Sequence, residues 1–185
     1  MSGMAGAGDP AAAELAVGLL RICCAQAGDL AYSIRQLSAS APISPDEMIA
    51  IARDPDRKIS VDAFIHRFSL LQDLIGAKLF RSVLVLDMNE VPPAMVDVLA
   101  AMEKRYLIDS EQTWITLRNA RNDLSHTYRD DPADAARHLD EALRRAPELL
   151  KILERVREYV IRRGLTDLPP VPTLDSHSSE THPPT

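Results

Sequence analysis

Apolar residues return every three or four positions along most of this chain. From Pro10 to about Ser38, Leu15, Leu19, Ile22, Leu30, Ile34 and Leu37 mark one helical stripe. Asp9 is placed to cap it and Pro10 to fill its first turn. "SASAPISPDE" interrupts the pattern, and a short helix is expected over "DEMIAIARD". After a second break at "RDPDRK", Ser60 is expected to cap a long helix whose Phe64, Phe68, Leu71, Ile75 and Leu79 share one core-facing side. "RSVLVL" is rich in β-branched residues but continues that stripe, so it reads as helix, and "DMNEVPP" ends it. "PAMVDVLAAMEKRYL" predicts another amphipathic helix, and Asp109 or Ser110 caps the next one. "RDDP" stops that helix, and Pro132 starts "PADAARHLDEALRRA". Pro147 either kinks this last helix or opens a separate one, which Gly164 ends.

These elements predict the all-α class: an antiparallel bundle of about five or six helices. The helical domain spans residues 10–164. It follows a flexible start at 1–9 and precedes a disordered Pro/Ser-rich tail at 165–185. Only 7 glycines among 185 residues support the assignment, because many short strands would need more turn formers.

Composition narrows the function. The formal net charge is −6, so a general nucleic-acid coat is excluded and any contact with RNA must use a local positive site. Aromatic residues are 4% of the chain, too few for a platform that stacks single-stranded bases. Cys23 and Cys24 are adjacent and fit no zinc spacing, so they read as reduced, buried and cytosolic. The start lacks a basic n-region, and Glu14 and Arg21 interrupt its apolar run. No membrane segment and a cytoplasmic location are therefore expected.

The densest chemistry lies in "RNARNDLSHTY", Arg118 to Tyr128. On an ideal helix of about 100° per residue, with Arg121 at zero, Ser125 falls near ~40°, Arg118 near ~60°, Asn122 near ~100° and His126 near ~140°. Tyr128 falls beside Arg121, and Leu117, Ala120 and Leu124 form the core stripe on the other flank. Arginine offers phosphate a fixed fork of donors, and histidine exchanges protons near neutral pH. Together they suit attack of a ribose 2′-hydroxyl on its own 3′-phosphate, with His126 moving the proton and Arg121 stabilising the phosphorane charge. Arg121 and His126 stand about 140° apart on an ideal helix. They meet at one phosphate only if the helix end tightens or a second copy completes the site. An exposed helix face carrying Arg, Asn and Ser is also commonplace in a purely structural role.

"RNDLSHTY" contains the pattern R-x4-H-x-Y. Together with "WITLRNARND" before it, "DAFIHRFSLLQDLIGAKLF" upstream and "ALRRAPELLKILERV" downstream, the chain resembles the HepT-like branch of the HEPN superfamily over residues 60–163. The resemblance implies a homodimer with two motif copies around an interfacial cleft, which would answer the geometric difficulty. It implies the toxin of a toxin–antitoxin pair: a metal-independent endoribonuclease with no cofactor. Arg121 and His126 would be catalytic, with Asn122, Ser125 and Arg118 in support. It also implies silencing by a nucleotidyltransferase antitoxin that transfers AMP to Tyr128. This chain has no Gly-Ser followed by D-x-D, so that partner acts in trans.

Two other readings stay open. One is a non-catalytic nucleotide- or substrate-binding subunit of a two-component nucleotidyltransferase; the other is a purely structural dimer. Asp62 with His66, and Asp134 with His138, share helix faces but lack further ligands at metal spacing, so surface ion pairs are expected. Lys151, Arg155, Arg157, Arg162 and Arg163 could extend an RNA track, but fit a solvated face better.

Overall fold

The structure is a computed structural model that describes residues 9–88, 91–124 and 131–174. Four of its helices begin with the same two-residue device, a capping side chain followed by proline. These are α1 (Pro10–Ser38), α2 (Pro45–Arg53), α3 (Pro55–Asp73) and α7 (Pro132–Ile161). Proline in the first turn lacks a donor the helix does not need, and its φ is already helical. Asp9 accepts from the Ala11 amide at 3.0 Å, Ser44 from Glu47 at 3.1 Å, Asp54 from Asp56 at 3.0 Å and Asp131 from Ala133 at 3.1 Å. Each such cap contributes about 1 kcal/mol.

Ser60 is therefore not the cap of the long central helix. Asp54 both closes α2 and opens α3, and the helix is already formed at Pro55. Inside it, the Ser60 hydroxyl donates to the Asp56 carbonyl at 3.0 Å, the usual refuge for a serine within a helix. The helix continues through a π turn at Leu74–Leu79 into α4 (Phe80–Met88). The expected stripe is intact across the turn, since Phe64, Phe68, Leu71, Ile75 and Leu79 are all fully buried. α5 (Met95–Lys104) and α6 (Glu111–Leu124) follow. Ser110 caps α6, accepting from the Thr113 amide at 3.1 Å. Counting the α3–α4 rod as one, six helices pack together, with no strand among the described residues.

α7 passes through Pro147 without a break. An interior proline costs a helix about 3 kcal/mol. Here burial on both sides of it, through Ala146, Leu149, Leu150 and Leu153, offsets that cost. α6 and α7 run antiparallel, because Asp109, just before α6, pairs with Arg155 near the end of α7 at 2.7 Å. α1 packs chiefly on α3 and also touches α4 and α7. By length and composition alone α1 could cross a bilayer, but in this fold its Leu20, Cys23, Ala27, Leu30 and Ile34 belong to the shared core.

The chain remains packed beyond Gly164, which was the expected start of a disordered tail. Gly164 itself, at φ 87°, turns the chain out of α7. Residues 165–174 then lie against α1 and α7, burying Leu168 and Val171. Arg157 donates to the Pro169 carbonyl at 2.7 Å, and Arg21 pairs with Asp167. The Cys24 thiol points at the same Pro169 carbonyl at 3.8 Å. Residues 1–8 and 175–185 lie outside the described residues.

A polar clasp joins the C-terminal ends of α4, α5 and α7. The Asp87 carboxylate, on α4, accepts from Arg105 Nε at 2.7 Å, from Arg163 Nε at 2.8 Å and from the Tyr159 hydroxyl. Arg163 also lies 3.5 Å from the centre of the Tyr159 ring, a cation–π contact. Burial alone would raise the Asp87 carboxyl. The hydrogen bonds from Tyr159 and Arg105, with the Arg163 charge, outweigh it and hold the group below the ordinary carboxylate range.

Candidate functional site

α6 divides its residues as the sequence predicts. Trp114, Leu117, Ala120 and Leu124 are buried, while Arg118 and Asn122 are exposed and Arg121 is half-buried. Ser125, His126 and Tyr128 lie outside the described residues, so Arg118, Arg121 and Asn122 carry the geometry. Arg121 occupies the last turn of α6, where a cation complements the partial negative charge of the helix end.

Two residues of α3 hold the Arg121 guanidinium. Its Nε donates to Gln72 Oε1 at 3.2 Å, and its Nη2 reaches Asp73 Oδ1 at 3.2 Å. The two contacts differ in kind. Gln72 is 2% exposed, so its carbonyl is a fixed acceptor. The Asp73 side chain is 61% exposed, and such ion pairs contribute about 0–1 kcal/mol in water. The other Gln72 amide atom, Nε2, is buried with no hydrogen-bond partner among the described residues. Leaving such a donor unmet costs about 1–3 kcal/mol, so an apolar residue here would favour stability. What the glutamine supplies in return is the bond to Arg121.

Beside this contact lies an open concavity of about 320 Å³, lined by Gln72, Asp73, Gly76, Ala77, Met95, Trp114, Arg118 and Arg121. Its shape depends on Gly76. A Cβ at that position would sit 2.6 Å from Trp114 Cζ2, so only glycine lets the indole edge approach the π turn this closely. Phe80, one turn further along the same rod, also packs on the indole, with ring centroids 4.9 Å apart and the rings tilted. Trp114, Arg118 and Arg121 follow one another at three- and four-residue spacing on α6, so the tryptophan's seat sets where both guanidinium groups emerge. π turns inside α-helices recur at functional sites.

Sequence reasoning found the arginines and missed their partners. Gln72 interrupts an otherwise apolar stripe, and Gly76 sits inside the same helix; together they were the available signal. Most of the cations in and just after α7 that could have extended an RNA track pair within the fold. Arg155 pairs with Asp109, Arg157 with Glu154, Arg162 with Glu158 and Arg163 with Asp87. Asp134 pairs with Arg137 at 2.8 Å. Among the described residues, no three His, Cys, Asp or Glu side chains gather as a metal site. Burial pushes the Cys23 thiol up to about 12 and the Cys24 thiol up to about 11, which leaves both weakly reactive.

No family model, curated protein or solved structure matched this chain when compared with it.

Proposed function

We propose that the chain is a HepT-like endoribonuclease toxin that cleaves RNA by 2′-hydroxyl attack without a metal. The observation that carries this reading is the half-buried Arg121, anchored by a buried glutamine and opening, with Arg118, onto one concavity. That arrangement suits a phosphodiester: Arg121 and Arg118 bind its oxygens and lower the cost of the charge that builds on the phosphorane. His126, five residues along from Arg121 in the R-x4-H-x-Y motif, supplies the proton transfers, with Asn122 and Ser125 in support. In this reading the chain works as a cytoplasmic homodimer, in which the second copy closes the gap between Arg121 and His126. AMP on Tyr128, added by a nucleotidyltransferase antitoxin, would place an anion beside Arg121 and silence the site.

A second reading has its own support. Gly76, Ala77, Met95 and Trp114 give the concavity an apolar half next to its arginines, which suits a nucleotide base and phosphate held without cleavage. That would make the chain the nucleotide- or substrate-binding subunit of a two-component nucleotidyltransferase.

Variant kinetics separate the two. His126→Ala and Arg121→Ala are each expected to lower RNA cleavage by about 10²–10⁴-fold, the range for losing one acid–base or charge-stabilising group. Wild-type protein that binds a nucleotide and leaves RNA intact would select the second reading.

A further inference from the structure

We propose that Asp73 is a built-in occupant of the Arg121 phosphate seat, displaced when a polyanion binds, and that Gln72 is the positioning residue that keeps the guanidinium aimed meanwhile. The proposal rests on reading Arg121 as a phosphate-binding group, and it adds a regulatory pair that the motif does not contain.

The two contacts divide the work. Gln72 is neutral and buried, and it takes the inner nitrogen, Nε. It cannot swing away without opening the core. Asp73 is charged and exposed, and it takes an outer nitrogen, Nη2. A guanidinium presents the same fork to a carboxylate as to a phosphate, so the aspartate and an RNA phosphate compete for the same donors. Asp73 stands at the end of α3, immediately before the π turn, and lines the same concavity as Arg118. Arg118 makes no ion pair with any described residue, so an incoming phosphate gains a second arginine that the single carboxylate does not engage. When the carboxylate swings into water, the Gln72 bond still fixes the plane of the guanidinium. Asp73 therefore lowers resting affinity for stray anions, and a ligand that reaches both arginines overcomes it.

The test uses the full chain in a His126→Ala background, so that RNA stays intact. A fluorescein-labelled single-stranded RNA oligonucleotide is titrated in EDTA at low salt and followed by anisotropy. Asp73→Asn is expected to tighten binding by roughly three- to tenfold, the effect of removing one charge a few ångströms from the seat at the solvent boundary. Arg121→Ala should weaken binding, and Asp73→Asn added to it should change nothing further. Gln72→Met, which keeps the volume and removes the acceptor, should weaken binding in the presence of Arg121 and be silent in its absence. Circular dichroism melting confirms that each variant is folded.

An Asp73→Asn gain of equal size in the Arg121→Ala background would mark Asp73 as one more surface charge and overturn the proposal. So would no gain at all. In either case a loss in Arg121→Ala leaves the phosphate-binding reading standing. Arg121→Ala binding as tightly as its parent, or no RNA binding by the parent and by its Asp73→Asn form alike, removes both.

Discussion

Gly76→Ala tests the geometry on which the site is built. In an ordinary helix this change stabilises, because alanine is favoured over glycine by about 1 kcal/mol. Here the new methyl would lie 2.6 Å from Trp114 Cζ2, with two more indole atoms at 3.4 and 3.5 Å. Carbon atoms prefer separations of about 3.5–4.0 Å, so the overlap is roughly 1 Å. The indole has little room to retreat, since Trp114 is 5% exposed and buried in the core. Overpacking of this kind costs about 1–3 kcal/mol, and a rigid ring places it in the upper part of that range. Subtracting the helix gain leaves about 1–2 kcal/mol of net destabilisation, or a Tm lower by roughly 2–8 °C for a chain of this size. Urea unfolding followed by tryptophan emission reads the effect at its source, because Trp114 is the chain's single tryptophan. Gly18→Ala is the control. Nothing lies within 4 Å of its Cβ, so it should stabilise by about 0.5–1 kcal/mol. Moving the indole also moves Arg118 and Arg121, so Gly76→Ala should weaken RNA binding. A Gly76→Ala protein that melts at or above wild type, with unchanged emission, would refute the close packing and its control of the arginines.

Two further predictions concern stability. Asp87→Asn removes the charge that gathers Arg105, Arg163 and Tyr159 and should cost about 1–3 kcal/mol at neutral pH. Because the folded carboxyl is held low, its contribution is complete above the unfolded value near ~3.9 and is lost as pH falls through the folded value. The gap between wild type and variant in chemical denaturation should therefore close in acid; a gap independent of pH would contradict the clasp. Ending the chain after Gly164 uncovers the surface on which Leu168 and Val171 are buried and should cost about 3–5 kcal/mol. It should also make Cys24 alkylate faster than Cys23, read by peptide mass spectrometry, and equal protection in both forms would show that the segment covers nothing.

The parts of the fold that were readable are those determined by neighbours in sequence. Asp9–Pro10 and Pro132 announced helix starts, and the three-to-four spacing of Phe64, Phe68, Leu71, Ile75 and Leu79 placed one face of the central rod in the core. Ser60 misled because it is a good cap beside a better one: Asp54 has proline after it and meets two amides. The π turn carries no local signature, and the indole that packs on its Gly76 comes from a distant helix. Residues 165–174 look like linker by composition, yet Leu168 and Val171 find a groove between α1 and α7 that no local pattern reveals. In the site, the arginine face came from the motif's spacing. The acceptors that aim Arg121 come from α3, 48 and 49 residues away, and only folding brings them together.

The chemistry of the cut ends shows whether the chain is a metal-independent ribonuclease. Purified wild-type protein is incubated with RNA in excess EDTA, and the new 3′ ends are identified by mass spectrometry beside His126→Ala and Arg121→Ala preparations made in the same way. The wild type should leave 2′,3′-cyclic phosphate ends and either variant essentially none, because in the proposed reaction the ribose hydroxyl is the nucleophile and both side chains serve it. Cleavage that stops in EDTA, ends that carry a 3′-hydroxyl, or full activity in both variants would contradict it.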